Sequence, residues 1–300
     1  MTWLNYHHLL YFWTVATEGT IVRASEVLRL APSTISVQIK ELEEDLGAQL
    51  FERGARQVRL TRFGEEFAGR AREILSLVDE LGDLARASRE GLVGRLRIGV
   101  IPTIAPYLLP AVIARLTDHH AGVDIHVRET LTERLVEELL DGRLDTAIVA
   151  LPVSEPALTE HPLFDEAFVL VRPEAEANDP VPDPETLRTQ RLLLLEEGHC
   201  FRDQALSFCN LQSGPPREVL DASSLSTLVQ MVSAGMGVTL IPEMAVPVET
   251  RSASVAISRF EAPEPTRTIG MVWRRRSPLA GQLTEIADIV RRSAEGLTAL

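Results

Sequence analysis

The sequence predicts a multidomain α+β and α/β protein: an N-terminal helix-turn-helix unit, a long linker helix and two α/β lobes. Three observations support this fold class. Residues 4–46 carry three short helical patterns, and residues 63–90 carry one helical pattern without a proline. From residue 95 onward, apolar strand patterns alternate with helical patterns. We expect the three parts at residues 1–62, 63–91 and 92–300.

The first unit is expected to hold three helices that leave a polar face on the third. Gly19 and Thr20 separate the first two helices, and Pro32 with Ser33 as N-cap opens the third helix at residues 34–46. Its apolar residues follow a 4-3-4 spacing, while its other face is polar: Thr34, Ser36, Gln38, Lys40. This is the layout of a helix-turn-helix, whose second helix reads base edges. A plain helical bundle with a solvated face is the alternative.

Charge supports a contact with nucleic acid in this part of the chain. The net charge is −13, but residues 1–97 hold 13 Lys/Arg and 14 Asp/Glu, so the acidic excess lies almost entirely beyond them. Residues 53–62 carry four arginines and no acid. A local basic strip of this kind can contact phosphate on a protein that is acidic overall.

The linker helix is expected to present an apolar seam. The apolar residues follow a 4-3-4-3-4 spacing, which is typical of a coiled coil of about three heptads: Phe67, Ala71, Ile74, Val78, Leu81, Ala85. The alternative is a single helix that packs on its own domain.

The remaining residues are expected to form two α/β lobes with a ligand crevice at the strand ends. Strands are expected at 96–101, 123–127, 144–150, 192–195, 238–241 and 268–273. Helices are expected at 107–117, 132–140, 203–211, 224–233 and 279–292. The β-α-β-α-β order of the first lobe predicts a parallel sheet.

Two cysteines, Cys200 and Cys209, form a candidate redox pair. His199, Arg202 and the start of a helix near Asp203 would favour the thiolate of Cys200, which is the reactive form. On a helix the two Cα atoms would be roughly 13 Å apart, whereas a disulfide needs them within about 7 Å. A bond between them would require this helix to unwind. The alternative is that both are small core residues.

Composition sets the broad class. Hydrophobic residues make up 45% and charged residues 24% of the 300 residues, which is ordinary for a globular protein. No apolar run reaches the about 18 residues of a membrane span, and the N-terminus lacks a secretion signal. We therefore expect a cytoplasmic protein. His119 and His120 are expected to be solvated or capping side chains, and we expect neither a metal nor a cofactor.

The N-terminal part resembles LysR-type transcriptional regulators. The matching residues lie at 24–28, 33–47, 50–53, 60–61 and 64. Departures are Ser25, where the family usually has alanine, and the turn at residues 31–33. The resemblance implies a winged helix-turn-helix that binds double-stranded DNA, a linker helix that pairs subunits, and two lobes like those of periplasmic binding proteins. The implied DNA contacts are Ser33, Thr34, Ser36, Gln38, Lys40, Arg53, Arg56 and Arg59.

Residues 95–280 are similar to the hydrogen-peroxide sensors of that family. The matching residues lie at 101–103, 106–110, 162–166, 196–200, 202–205, 208–209, 234–235, 240–242 and 267–270. The resemblance implies that Cys200 is the peroxidatic cysteine and Cys209 the resolving one. It also implies a peroxide pocket of polar groups: Thr103, Thr132, His199, Arg202, Asp203, Arg267. The residues alone leave open that the threonines cap helices and that Arg267 and Asp203 form a structural salt bridge.

The implied function is a transcription factor and not an enzyme. Oxidation of Cys200 to a sulfenic acid, followed by a Cys200–Cys209 disulfide, would switch oxidative-stress genes. The implied partners are double-stranded DNA, further copies of the chain in a homodimer or homotetramer, and RNA polymerase. The alternative function is a LysR-type regulator that binds a small organic effector between the lobes. A thiol peroxidase would have no use for the helix-turn-helix.

Overall fold

The computed structural model describes residues 4–52, 58–88, 94–120, 122–187, 190–208 and 220–297, and the chain divides into two compact units, Met1–Gly82 and Asp83–Leu300. The helices are α1 (Tyr6–Glu18), α2 (Ile21–Leu28), α3 (Pro32–Leu46), α4 (Arg62–Ala87), α5 (Ala105–His119), α6 (Thr132–Leu140), α7 (Pro184–Leu187), α8 (Cys200–Phe208), α9 (Leu225–Ser233), α10 (Val246–Glu249) and α11 (Ala280–Ala294). The strands are β1 (Gly94–Val100), β2 (Val123–Glu129), β3 (Thr146–Leu151), β4 (Leu158–Pro173), β5 (Leu193–Leu195), β6 (Leu220–Ala222), β7 (Thr239–Pro242), β8 (Val255–Arg259) and β9 (Thr266–Arg274).

The first unit is a three-helix core with a wing. Phe12 of α1 is fully buried, and its ring lies 5.3 Å from that of Phe51 and 5.2 Å from that of Phe67. The wing is closed by an antiparallel bridge between Phe51 and Leu60. In it the amide of Glu52 donates to the carbonyl of Arg59 over 2.8 Å.

The recognition helix α3 starts earlier than the sequence predicts. Ala31 is the N-cap, without a side-chain cap bond, and Pro32 is the first helical residue. Proline suits this position because its fixed φ is helical and its missing N–H would be unpaired there anyway. The prediction of Ser33 as N-cap is therefore wrong, and Ser33 lies inside the first turn.

The apolar seam of α4 also differs from the prediction. Phe67 and Ala71 pack into the core of the first unit, because they face α1 and the wing. The exposed apolar side chains begin further along the helix, at Ile74, Leu77, Val78, Leu81 and Leu84. Leu81 is 66% exposed, so this stripe is unusual for a helix of a monomeric protein.

The second unit is built on a mixed sheet. Strand β1 pairs in parallel with β2 and β3, as predicted, but β3 then pairs antiparallel with β9, and β9 with β4. Strands β4 and β8 were not predicted. Pro162 interrupts the strand pattern of β4, and the register shifts between Pro162 and Phe164, where a bulge accommodates the proline.

Strand β4 belongs to both lobes. Its residues 158–167 pair with β9, and its residues 168–173 pair with β7 and β8 of the second lobe. Strands β5 and β6 pair in parallel, and a bridge between Leu192 and Val238 lies beside them. The two lobes are therefore joined by continuous strands. No helix in the described part of the chain is long and apolar enough to cross a membrane.

A buried ion cluster ties the end of α4 to this sheet. The carboxylate of Asp83 accepts from Arg274 Nη2 over 3.1 Å and from Arg86 Nη2 over 2.6 Å. Arg86 also donates to Asp145 over 2.8 Å. Asp83, Asp145 and Arg274 are all buried, so each charge is paired where water does not reach it.

Candidate functional site

Cys200 is the first residue of α8, so the prediction that this helix starts at Asp203 is wrong by one turn. Its thiol is half-buried. The unpaired N–H groups at a helix N-terminus carry partial positive charge, which favours a thiolate at this position. Gly198 makes the preceding turn with φ +92°, and a Cβ there would lie 3.0 Å from Leu131 Cδ1. Glycine is therefore needed both for the conformation and for the space.

Cys200 borders a small cavity at the ends of the strands. The cavity encloses about 180 Å³, including space that opens to solvent. Its wall is formed by the segments that follow β1, β2 and β5: Ile101, Pro102, Thr103, Leu131, Thr132, Gly198, His199, Cys200, Phe201. The cavity thus lies at the carboxyl ends of these strands, where α/β folds bind ligands. Of the predicted pocket residues, Thr103, Thr132 and His199 line it with Cys200.

Thr103 is held by a buried arginine. Arg267 Nη1 donates to Thr103 Oγ1 over 2.8 Å, and Nη2 donates to the Thr103 carbonyl over 3.1 Å. A guanidinium can only donate, so Thr103 Oγ1 accepts, and its own proton remains for another acceptor. Arg267 also lies over the ring of Phe201, 5.4 Å from its centroid. Arg267 therefore supports the cavity wall from behind.

Thr132 offers a polar atom with no other use. It is the first residue of α6, and Leu131 is the N-cap, so Thr132 does not cap the helix, which was the alternative role. Its Oγ1 is buried and has no hydrogen-bond partner among the described residues. Buried hydroxyls are rarely left in this state, because an unmade hydrogen bond costs free energy. This oxygen fits a small polar ligand in the cavity.

The imidazole of His199 is neutral at pH 7. Burial lowers the pKa of His199 below its ordinary value of 6.5, and the nearby carboxylate of Glu196 offsets part of this effect. The side chain is therefore a base beside Cys200, and it does not supply the fixed positive charge expected from the sequence.

Arg202 and Asp203 are not brought to the cavity. Arg202 Nη1 donates to the Leu195 carbonyl and to Asp221 Oδ1, each over 2.6 Å. Asp203 is exposed in the first turn of α8. Neither lines the space around Cys200, because the earlier start of α8 turns both side chains elsewhere. The predicted salt bridge of Arg267 exists, but its partner is Glu166 and not Asp203.

Sequence reasoning missed Glu166 and Phe201. Glu166 lies opposite Arg267 in the pairing of β4 with β9, so predicting β4 was the step that would have found it. Phe201 is buried, with its ring 4.9 Å from that of Phe168. Cys209 lies outside the described residues, and so does the predicted Cys200–Cys209 disulfide.

The predicted DNA-contacting residues lie on one exposed surface of α3 and on the wing. Ser33, Thr34, Ser36 and Lys40 are exposed. Gln38 is half-buried, and its amide donates to Glu41 over 2.7 Å. Arg59 is exposed on the wing, whereas Arg53 and Arg56 lie outside the described residues.

Two family models match the chain. The first is described as "Bacterial regulatory helix-turn-helix protein, lysR family" and matches residues 6–65. The second is described as "LysR substrate binding domain" and matches residues 89–295.

Individual proteins match over nearly the whole length. The Escherichia coli K12 DNA-binding transcriptional dual regulator OxyR is 38% identical over 296 residues, which cover 98% of this chain and 97% of that protein. A full-length OxyR variant from Pseudomonas aeruginosa superposes with a TM-score of 0.76 at 34% identity, covering 96% of this chain and 95% of that one. A hydrogen-peroxide-bound OxyR variant from Corynebacterium glutamicum has a TM-score of 0.68 at 32% identity, covering 98% and 94%.

Proposed function

The chain belongs to the LysR family of bacterial transcriptional regulators, and we propose that it is a cytoplasmic DNA-binding regulator that senses hydrogen peroxide through Cys200. The observation that carries this proposal is the cavity at the N-terminus of α8. It places a half-buried thiol beside the hydroxyl of Thr103, which has a proton to donate, and the buried, unpartnered hydroxyl of Thr132.

The first chemical step is a displacement at oxygen. Neutral His199 accepts the thiol proton, and the sulfur attacks one oxygen of the peroxide as the O–O bond breaks. Sulfur is oxidised and peroxide is reduced. The leaving hydroxide takes the proton back from His199, so the products are a sulfenic acid on Cys200 and one water molecule. Thr103 and Thr132 hold the peroxide oxygens in line.

The second step uses the other thiol of the chain. The sulfur of Cys209 attacks the sulfur of the sulfenic acid, the S–O bond breaks, and the hydroxide leaves as water with the Cys209 proton. The product is the Cys200–Cys209 disulfide. A dithiol reductant would reset it by thiol–disulfide exchange.

The size of the cavity favours peroxide over an organic effector. Pockets for ligands of ordinary metabolite size enclose about 300–1,000 Å³, whereas this cavity encloses about 180 Å³ even with its open part. Its polar groups converge on the thiol. A two-oxygen molecule fits this arrangement better than an effector with a carbon skeleton.

The regulatory output rests on the first unit and on α4. We infer that α3 enters the major groove with Thr34, Ser36, Gln38 and Lys40 towards the bases, and that arginines of the wing contact phosphate. The exposed apolar stripe of α4 would pair with that of a second copy, in a homodimer or a homotetramer. Activation would then act through RNA polymerase, and the protein would respond to peroxide stoichiometrically and not as an enzyme.

The test joins thiol chemistry to DNA binding. The full chain is treated with micromolar peroxide, and thiol mass spectrometry and DNA footprinting are performed on the same samples. We expect a Cys200–Cys209 disulfide together with a changed footprint. Cys200→Ser should show neither change, and Cys209→Ser should trap a sulfenic acid. Unmodified thiols with an unchanged footprint would contradict the proposal, and so would a Cys200→Ser protein that still responds to peroxide.

A further inference from the structure

Glu166 is a buried carboxylate whose two oxygens are both used. It lies in β4 at the crossing between the lobes and is 1% exposed. Its Oε2 accepts from Arg267 Nε over 2.8 Å and lies 2.7 Å from Arg267 Nη2. Its Oε1 accepts from the amide of Met244 over 3.1 Å. The carboxylate therefore holds one edge of the guanidinium and one backbone amide of the second lobe.

This contact fixes the orientation of Arg267. A guanidinium is planar, and its donors lie in a rigid fork, so two bonds along one edge determine where the remaining donors lie. These donors meet Thr103 at its hydroxyl and at its carbonyl. Glu166, Arg267 and Thr103 thus form a chain of buried hydrogen bonds that ends at the cavity.

The direction of the last bond matters for the chemistry. Because Arg267 donates to Thr103 Oγ1, the hydroxyl proton of Thr103 cannot be directed at Arg267. Among the described residues, no acceptor takes it, and Thr103 lines the cavity with Cys200. The proton is therefore available to an oxygen atom beside the thiol.

Building on the peroxide-sensing function proposed above, we propose that Glu166 is a positioning residue of the sensor: it orients Arg267, and Arg267 turns the hydroxyl proton of Thr103 towards the bound peroxide. Glu166 does not touch the peroxide. Its contribution is to hold a donor in place before the oxidant arrives, which lowers the cost of reaching the transition state.

The test uses Glu166→Gln in the full chain with Cys209→Ser, so that only the first oxidation is observed. Glutamine keeps the shape but replaces one acceptor oxygen by a donor, which cannot serve Arg267 and Met244 together. The rate of sulfenic acid formation with peroxide should fall about 10- to 100-fold, as expected when a reacting group is misplaced. Thr103→Val should cause a similar fall, and the double variant should be no slower than either single variant.

Two controls separate positioning from a general defect. Alkylation of Cys200 by iodoacetamide does not use Thr103, so its rate and pH profile should be unchanged in Glu166→Gln. Asp165→Asn alters the neighbouring carboxylate, which is exposed and accepts from Thr268 over 2.7 Å, and should keep the parent rate with peroxide. Arg267→Lys, which keeps the charge but loses the fork, should reproduce the defect if Glu166→Gln folds poorly.

The outcomes discriminate. Peroxide oxidation of Glu166→Gln at the parent rate would overturn the proposal, as would an equal loss of alkylation and peroxide reactivity. Additive losses in the double variant would also overturn it, because Glu166 would then act independently of Thr103. If the parent protein itself is not oxidised at Cys200, the proposed function has failed, and that result is distinct from a failure of Glu166.

Discussion

At the scale of single residues, the cavity combines three polar groups with different abilities. Thr103 is fixed as a donor by Arg267, Thr132 has a hydroxyl without a partner, and His199 is a neutral base. Peroxide both donates and accepts hydrogen bonds at each oxygen, so it can satisfy all three. This complementarity could not be read from residue types alone, because it depends on which partners each side chain already has.

His199 should make stability depend on pH. Burial lowers its pKa in the folded chain relative to the unfolded chain, so the unfolded state binds the proton more readily. This stabilising contribution is fully present above about pH 6.5 and is lost as the pH falls from there through the folded pKa. Urea unfolding of the parent and of His199→Gln, at about pH 5 and about pH 8, should show a smaller decrease on acidification in the variant. Equal decreases would show that the imidazole titrates alike in both states.

At the scale of elements, α8 connects the thiol to the core. The helix extends over nine residues from Cys200, about 12 Å along its axis. A disulfide to Cys209 needs Cα atoms within about 7 Å, so the helix must unwind. Phe201 follows Cys200 directly and packs against Phe168 and Arg267. Moving Cys200 to its partner therefore withdraws an aromatic ring from the core.

Oxidation should thus increase amide exchange in α8. Hydrogen exchange with mass spectrometry on residues 201–208 should rise after peroxide treatment and return after dithiothreitol. Cys200→Ser is the control and should show the same exchange with and without peroxide. If the disulfide forms and exchange in α8 stays the same, the bond closes without rearrangement, and α8 is not the moving element.

Elements with a strong local period could be predicted from the sequence, and those defined by distant partners could not. The helices α1 to α3 and the strands β1 to β3 follow from apolar spacing, turn residues and length. Strand β4 carries Pro162 and a register shift, so its pattern is broken exactly where sequence reasoning needs continuity. The Glu166–Arg267 pair joins residues 101 positions apart, and it becomes visible only when β4 is placed beside β9.

At the scale of the whole molecule, β9 links the sensor to the end of α4. Arg267, near the start of β9, supports the cavity wall, and Arg274, its last residue, pairs with Asp83 of α4. The two arginines are about 23 Å apart along an extended strand. A shift of β9 at the cavity would therefore act on the ion cluster that holds the end of α4.

The apolar stripe of α4 should determine assembly. Leu81→Asp places a charge in the most exposed part of the stripe and should shift the chain towards monomer in sedimentation velocity and weaken binding to a two-fold symmetric DNA site. Gly82→Asp is the matched control. It adds the same charge about 100° around the helix, at a position where a Cβ meets nothing within 4 Å, and it should leave assembly unchanged. A Leu81→Asp protein that sediments like the parent would show that the stripe does not hold subunits together.

The shared strand β4 has a consequence for how the second unit melts. Residues 158–167 complete the sheet of one lobe, and residues 168–173 lie between strands of the other. Neither lobe can unfold without removing a strand from its neighbour, so a partly melted state with one intact lobe would carry an unpaired, apolar strand edge. The two lobes should therefore denature together, in a single cooperative transition, although they look like separate domains.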